Sequence, residues 1–190
     1  MILKNKNKIL WITRTAIFIA LLIVSQSATA PLGNIIVTGS IVNLLLITSA
    51  MTCGLASGLT VAIMSPVMAK FLGIGPLWTL IPFIAAGNVV LVPLWHFIGN
   101  RRLGGKKYTA YIAALIAAAL AKFLMLYVGI VRIALPLFLG LPEPQAAVIS
   151  HMFSIPQLVT ALIGGVLAML VFPRLQRAIV KGARVKRVRL

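Results

Sequence analysis

The sequence predicts an all-α integral membrane protein of six transmembrane helices with both termini in the cytoplasm, and three observations lead there. Of the 190 residues, 61% are hydrophobic and 10% are charged, where a soluble domain carries about a quarter charged residues. Eighteen Lys and Arg stand against one acidic residue, Glu143, for a formal net charge of +17. The basic residues are clustered, and the stretches between the clusters consist mainly of Leu, Ile, Val and Ala. This excludes an ordinary soluble globule. It also excludes a histone-like nucleic-acid binder, whose basic patch rides on a polar surface.

A hydrocarbon core about 30 Å thick needs roughly 20 apolar residues per helix, so breakers and charges divide the chain into spans. The first covers residues 9–29, behind Lys4, Lys6 and Lys8. It imitates a secretory signal, since Ala28-Thr29-Ala30 has the form of a cleavage site. The apolar run exceeds the roughly 7 to 15 residues of a signal core, however, and the ring-locked Pro31 follows directly, so it reads as a retained helix. Pro31, Gly33, Asn34 and Gly39 form a loop. The second and third spans, residues 40–53 and 55–72, are short and separated by a glycine-rich turn containing Gly54 and Gly58. The fourth covers 77–98 with Pro82 and Pro93 as kinks. A basic loop leads to the fifth, 108–135, and a loop holding Glu143 leads to the sixth, 147–172. A basic cytoplasmic tail, 174–190, closes this single membrane domain.

The charges fix the orientation. Fifteen of the eighteen basic residues fall before or just inside the first span, between the fourth and fifth, or after the sixth. An even number of spans puts all three groups on one side, which the positive-inside rule makes the cytoplasm. Five or seven spans would split them. Lys70, Lys122 and Arg132 remain. Lys70 is close enough to the outer end of its helix to snorkel. Lys122 lies roughly 20 Å along the fifth helix from Tyr108, where an unpaired cation is costly and should face a cavity or a partner. Arg132 lies ten residues further on. With Glu143 as the only acid, backbone carbonyls, water or an external anion must satisfy these groups.

Depth counting puts Gln26, Asn43, Lys122, Arg132, His151 and Gln157 toward the outer face, with Asn88 about halfway down the fourth helix. Singly, each is better explained as hydrogen-bond glue between helices. Together they predict a solvated cavity open to the outside. His96 lies near the inner end of its helix and reads as interfacial. The lone Cys53 can form no internal disulfide.

Other chemistry lacks its residues. No Asp exists, and Glu143 lies between Pro142 and Pro144 in an outer loop, so no carboxylate is available within the spans to bind a coupling ion. There is no P-loop, and no carboxylate set for a metal. No metal or other cofactor is expected. Ala16 and Ala20 make a smooth face on the inner half of the first helix, suited either to internal packing or to a partner subunit.

Six spans in about 190 residues, basic ends, and Ala16-Ile17-Phe18-Ile19-Ala20 early in the first helix resemble the substrate-binding S component of energy-coupling-factor (ECF) transporters. The segments Thr38-Gly39-Ser40-Ile41-Val42-Asn43 and Pro82-Phe83-Ile84-Ala85-Ala86-Gly87-Asn88, with the short second and third spans, resemble members of that family too. The resemblance implies a non-enzymatic subunit of a bacterial plasma membrane that captures a vitamin or related micronutrient from outside. It also implies a transmembrane scaffold subunit (T component) met by Ala16 and Ala20, and two ABC ATPases that drive toppling of the S component. The segment from Pro31 to Thr38 would be a lid. On this reading Lys122 and Arg132 supply charge to an anionic or acceptor-rich ligand, and Asn43, Asn88, His151 and Gln157 orient it. The basic face would also touch anionic lipid. Two other classes compete: a small intramembrane lipid-modifying enzyme with His151 as base, using Ser150 or Ser154, and a membrane scaffold without a small ligand.

Overall fold

A computed structural model describes residues 2–75, 77–101 and 107–188, with side chains described over 8–75, 77–101 and 107–177. Of the basic anchors, Lys4, Lys6, Arg102, Lys106, Lys181, Arg184, Lys186, Arg187 and Arg189 lie outside the described side chains. No strand occurs among the described residues. The helices are α1 (Ile2–Thr29), α2 (Ile35–Cys53), α3 (Leu55–Phe71), α4 (Ile81–Gly99), α5 (Lys107–Leu126), α6 (Glu143–Met152) and α7 (Ile155–Val188). Five helical stretches are long and apolar enough to cross a membrane, and α3 is a shorter apolar helix, consistent with six spans.

Of the boundaries that differ from the sequence reading, three bear on the cavity end of the bundle. α2 begins at Ile35 rather than near residue 40, because the Asn34 side chain caps it, accepting from the backbone N–H groups of Ile36 and Val37 at 2.9 and 3.2 Å. Half of the anticipated lid, residues 35–38, therefore belongs to α2, and the connection shrinks to a 3-10 turn, Ala30–Leu32, closed by Gly33 at φ 61°. The second difference is in the fifth span, where α5 continues as a π-helix, Tyr127–Leu139, running through Pro136 to Gly140. The third is in the sixth, which is broken into α6 and α7, with Glu143 in the first turn of α6.

Apolar burial and close backbone approach hold the bundle together. Leu22, Leu46, Ile47, Leu91, Val92 and Trp95 form the centre of the main core. A smaller core of Leu80, Leu126, Ile130, Ala134 and Phe153 lies beside the π-helix. Ile17, Val24, Ile63, Ile116, Leu124 and Leu170 are exposed on the outside, as lipid-facing residues of a membrane bundle must be. Between α3 and its neighbours, Gly58 lies so near Ala50 that an added Cβ would be 2.7 Å from the Ala50 Cβ. Polar side chains stitch helices as well: the hydroxyls of Thr15 on α1 and Ser57 on α3 hydrogen-bond at 2.8 Å in the interior.

Candidate functional site

A cavity of about 440 Å³ opens at the end of the bundle formed by the α1–α2 and α3–α4 connections and the α6–α7 break. This is the end opposite the chain termini: Gln26, Gly33, Gly73 and Phe153 border the cavity, whereas Arg14, Cys53 and Leu175 border a recess elsewhere in the bundle. The volume lies within the range of small-molecule sites. Its wall is largely aliphatic, including Ile35, Val42, Pro66, Ile81 and Ile84, and a few polar groups converge inside it.

One of these groups is the buried Lys122. Its Nζ donates to Asn43 Oδ1 at 2.6 Å and to Asn88 Oδ1 at 2.7 Å, joining α5 to α2 and α4. The three residues are 4%, 1% and 2% exposed respectively. Each amide is itself held: Asn43 Nδ2 donates to Thr160 Oγ1 on α7, and Asn88 Nδ2 to the Ala62 carbonyl on α3, both at 3.3 Å. Thr160 in turn donates to the Gln157 carbonyl at 3.0 Å. The network thus spans α2, α3, α4, α5 and α7. A lysine ammonium has three donors. Two are committed to the amides, which leaves one for a group entering the cavity.

This geometry depends on small residues beside it. Gly164 permits α7 to approach the backbone of α2 at Ser40 and Leu44, and Gly39 admits the Thr160 side chain in the opposite direction. Gly87, one residue from Asn88, makes room for Leu126, one turn beyond Lys122. Larger residues at these points would separate the helices that carry the three polar side chains.

The structure brings Asn43, Asn88, Lys122 and Gln157 to one cavity. Gln157 Nε2 donates to the Met152 carbonyl at 3.1 Å, across the α6–α7 break. Arg132 and His151 do not line this cavity. Arg132 is exposed on the π-helix, its guanidinium carbon 5.5 Å from the centre of the Tyr127 ring. His151 is exposed at the end of α6, and the nearby Ser154 hydroxyl donates to the Ser150 carbonyl at 2.6 Å. Ala16 and Ala20 are exposed on α1, on a face that the other described side chains leave uncovered.

The cavity also contains residues to which the sequence reading assigned no ligand-contact role. Gln26 is 6% exposed, lines the cavity, and its Oε1 has no hydrogen-bond partner among the described residues. Its polarity near the outer end of the first helix was the available signal. Thr38 and Ser65 line the wall too. Ser65 immediately precedes Pro66 in α3, and both face the cavity.

No curated protein and no solved structure was found to match the chain. A family model does match: that of the ECF transporter, substrate-specific component, over residues 11–176. The match runs from the first span to the end of the sixth and takes in the whole cavity and the exposed alanine face of α1. The chain therefore belongs to the substrate-specific components of ECF transporters.

Proposed function

We propose that this subunit captures a vitamin or related small micronutrient at the outer face of a bacterial plasma membrane and hands it to partner subunits for ATP-driven uptake. The partners are a transmembrane scaffold subunit and two ABC ATPases. Family membership supports a substrate-binding rather than catalytic role. The single observation that carries the ligand reading is Lys122: a buried cation clasped by two uncharged amides, with a donor left toward a cavity of ligand size. Such an arrangement suits a carboxylate, or a carbonyl or similar acceptor, on a molecule whose remaining surface is mostly apolar. Gln26, with its unpartnered Oε1, suits a donor elsewhere on the same molecule. Asn43 and Asn88 act as positioning residues for the ammonium, and Gln157 joins the wall from α7.

Ala16 and Ala20 form the contact with the scaffold subunit in this proposal. Their exposure on a helix bordered by bulkier Ile17 and Leu21 leaves a shallow strip along which another helix can come close. The test begins with mass spectrometry of small molecules retained by the purified protein. The molecule so identified should bind wild type and lose at least about tenfold in affinity on Lys122→Met, the loss of one charge-assisted hydrogen bond. An unchanged affinity would remove Lys122 from the site.

A further inference from the structure

A second recess, of about 380 Å³, lies between α1, α2 and α7. It extends along α1 from Arg14 to Leu21, about 10 Å of helix, and is closed on the other sides by Leu44, Thr52 and Leu175 among others. Arg14 stands at one end and the wall beyond it is almost wholly apolar. Arg14 lies toward the start of α1 and Leu175 toward the end of α7, so the charged end is the one nearest the termini.

Arg14 has no carboxylate of this chain's side chains within reach. The sole acidic residue, Glu143, begins α6, whose other end reaches the first cavity at Met152. Arg14 is the one charged residue of the recess lining; Arg174, on the same stretch of α7 as Leu175, is exposed and donates to the Leu170 carbonyl at 3.4 Å. Deeper in the recess, Thr48 is 3% exposed and its Oγ1 has no partner among the described residues. The recess thus grades from one cation, Arg14, at the end nearest the termini to an aliphatic slot deeper in the bundle. A phospholipid has the matching order, an anionic head followed by an acyl chain. A partner's helix would present side chains of its own along the whole depth.

We infer that this recess holds one acyl chain of an anionic phospholipid from the leaflet on the side of the termini, with its phosphate at Arg14. Anionic lipid is drawn to surface Lys and Arg by about 1 kcal/mol per cation, and the slot converts that general attraction into a defined seat. The inference is independent of which molecule enters the first cavity.

Native mass spectrometry of the full chain in detergent, titrated with phosphatidylglycerol and separately with phosphatidylcholine, tests it. One phosphatidylglycerol should be retained preferentially, and Arg14→Gln should weaken its retention about fivefold. In vesicles of the two lipids mixed equally, phosphatidylglycerol bearing a photoreactive acyl chain should label Leu21, Leu44 or Leu45 above the other lipid-facing positions. Equal retention of the two lipids, or labelling spread evenly around the bundle, would overturn the inference. So would an Arg14→Gln protein that keeps its lipid but no longer co-purifies with the scaffold subunit, since the recess would then be a subunit contact.

Discussion

Gly164 of α7 sits so close to Asn43 of α2 that a Cβ added to it would lie 2.6 Å from the Asn43 Cβ and the same distance from the Ser40 carbonyl oxygen. The backbone of α2 cannot yield as a flexible side chain would. Gly164→Ala should therefore push α7 away from α2 and destabilise the protein by about 1–3 kcal/mol, the usual cost of overpacking. Because Asn43 rides on the displaced segment, ligand affinity should fall as well. Thermal unfolding in detergent and ligand titration check the two effects together.

The Lys122 network predicts a non-additive pattern. Asn43→Leu combined with Asn88→Leu leaves a buried ammonium without its amide partners, which should cost about 3–5 kcal/mol. Adding Lys122→Met removes the stranded cation and should recover much of that stability. The triple variant should fold and still fail to bind ligand. A triple variant no more stable than the double would show that the amides support the bundle without regard to Lys122.

Gln26 should behave differently from the network residues. Its Oε1 is unpartnered, so Gln26→Leu removes a buried acceptor that contributes nothing in the empty cavity. Unfolding of the ligand-free protein should be unchanged or shifted slightly upward in temperature. Ligand affinity should fall about three- to tenfold, the scale of one neutral hydrogen bond. Reduced stability with unaltered affinity would assign Gln26 to packing alone.

Replacing Ala16 and Ala20 together with Trp should abolish uptake in cells while leaving ligand binding by the isolated subunit intact, since both residues are exposed. Uptake assays and binding titrations, run on the same variant, separate a subunit contact from an internal one. Loss of binding in the isolated chain would contradict the proposed contact.

At the rim, Asn34→Ala deletes the two side-chain hydrogen bonds that start α2. The expected cost is about 1 kcal/mol, readable as a lower unfolding temperature.

Position along a helix can be counted from the sequence, and direction around it cannot. Counting residues located Lys122 far inside the fifth span, and the shortage of carboxylates required an uncharged or external partner for it. Arg132, ten residues on, is 2.8 turns away on an ideal helix, so it points about 80° from Lys122 before the π-helix adds its own change of pitch. His151 was counted as part of a continuous sixth span. Pro156, at the second position of α7, was the signal for a fresh helix start there, and it puts His151 on a separate short helix. Gly39 reads as loop in isolation. It is helical because α2 already starts at the Asn34 cap, and its missing side chain leaves room for Thr160, a neighbour 121 positions away that no local pattern reveals.

Both partners of Lys122 are neutral amides, so a protonated Lys122 gives the empty cavity a net charge of its own. Carrying one elementary charge through the membrane field is worth about 2.3 kcal/mol per 100 mV. In a cycle where the subunit topples, the empty form would thus feel the membrane voltage. An anionic ligand docked on the ammonium would cancel the charge, and the loaded form would turn through the field almost without electrical work. In such a cycle the clasp of two amides around a protonated lysine would bear on more than affinity: the empty half would be voltage-sensitive and the loaded half would not.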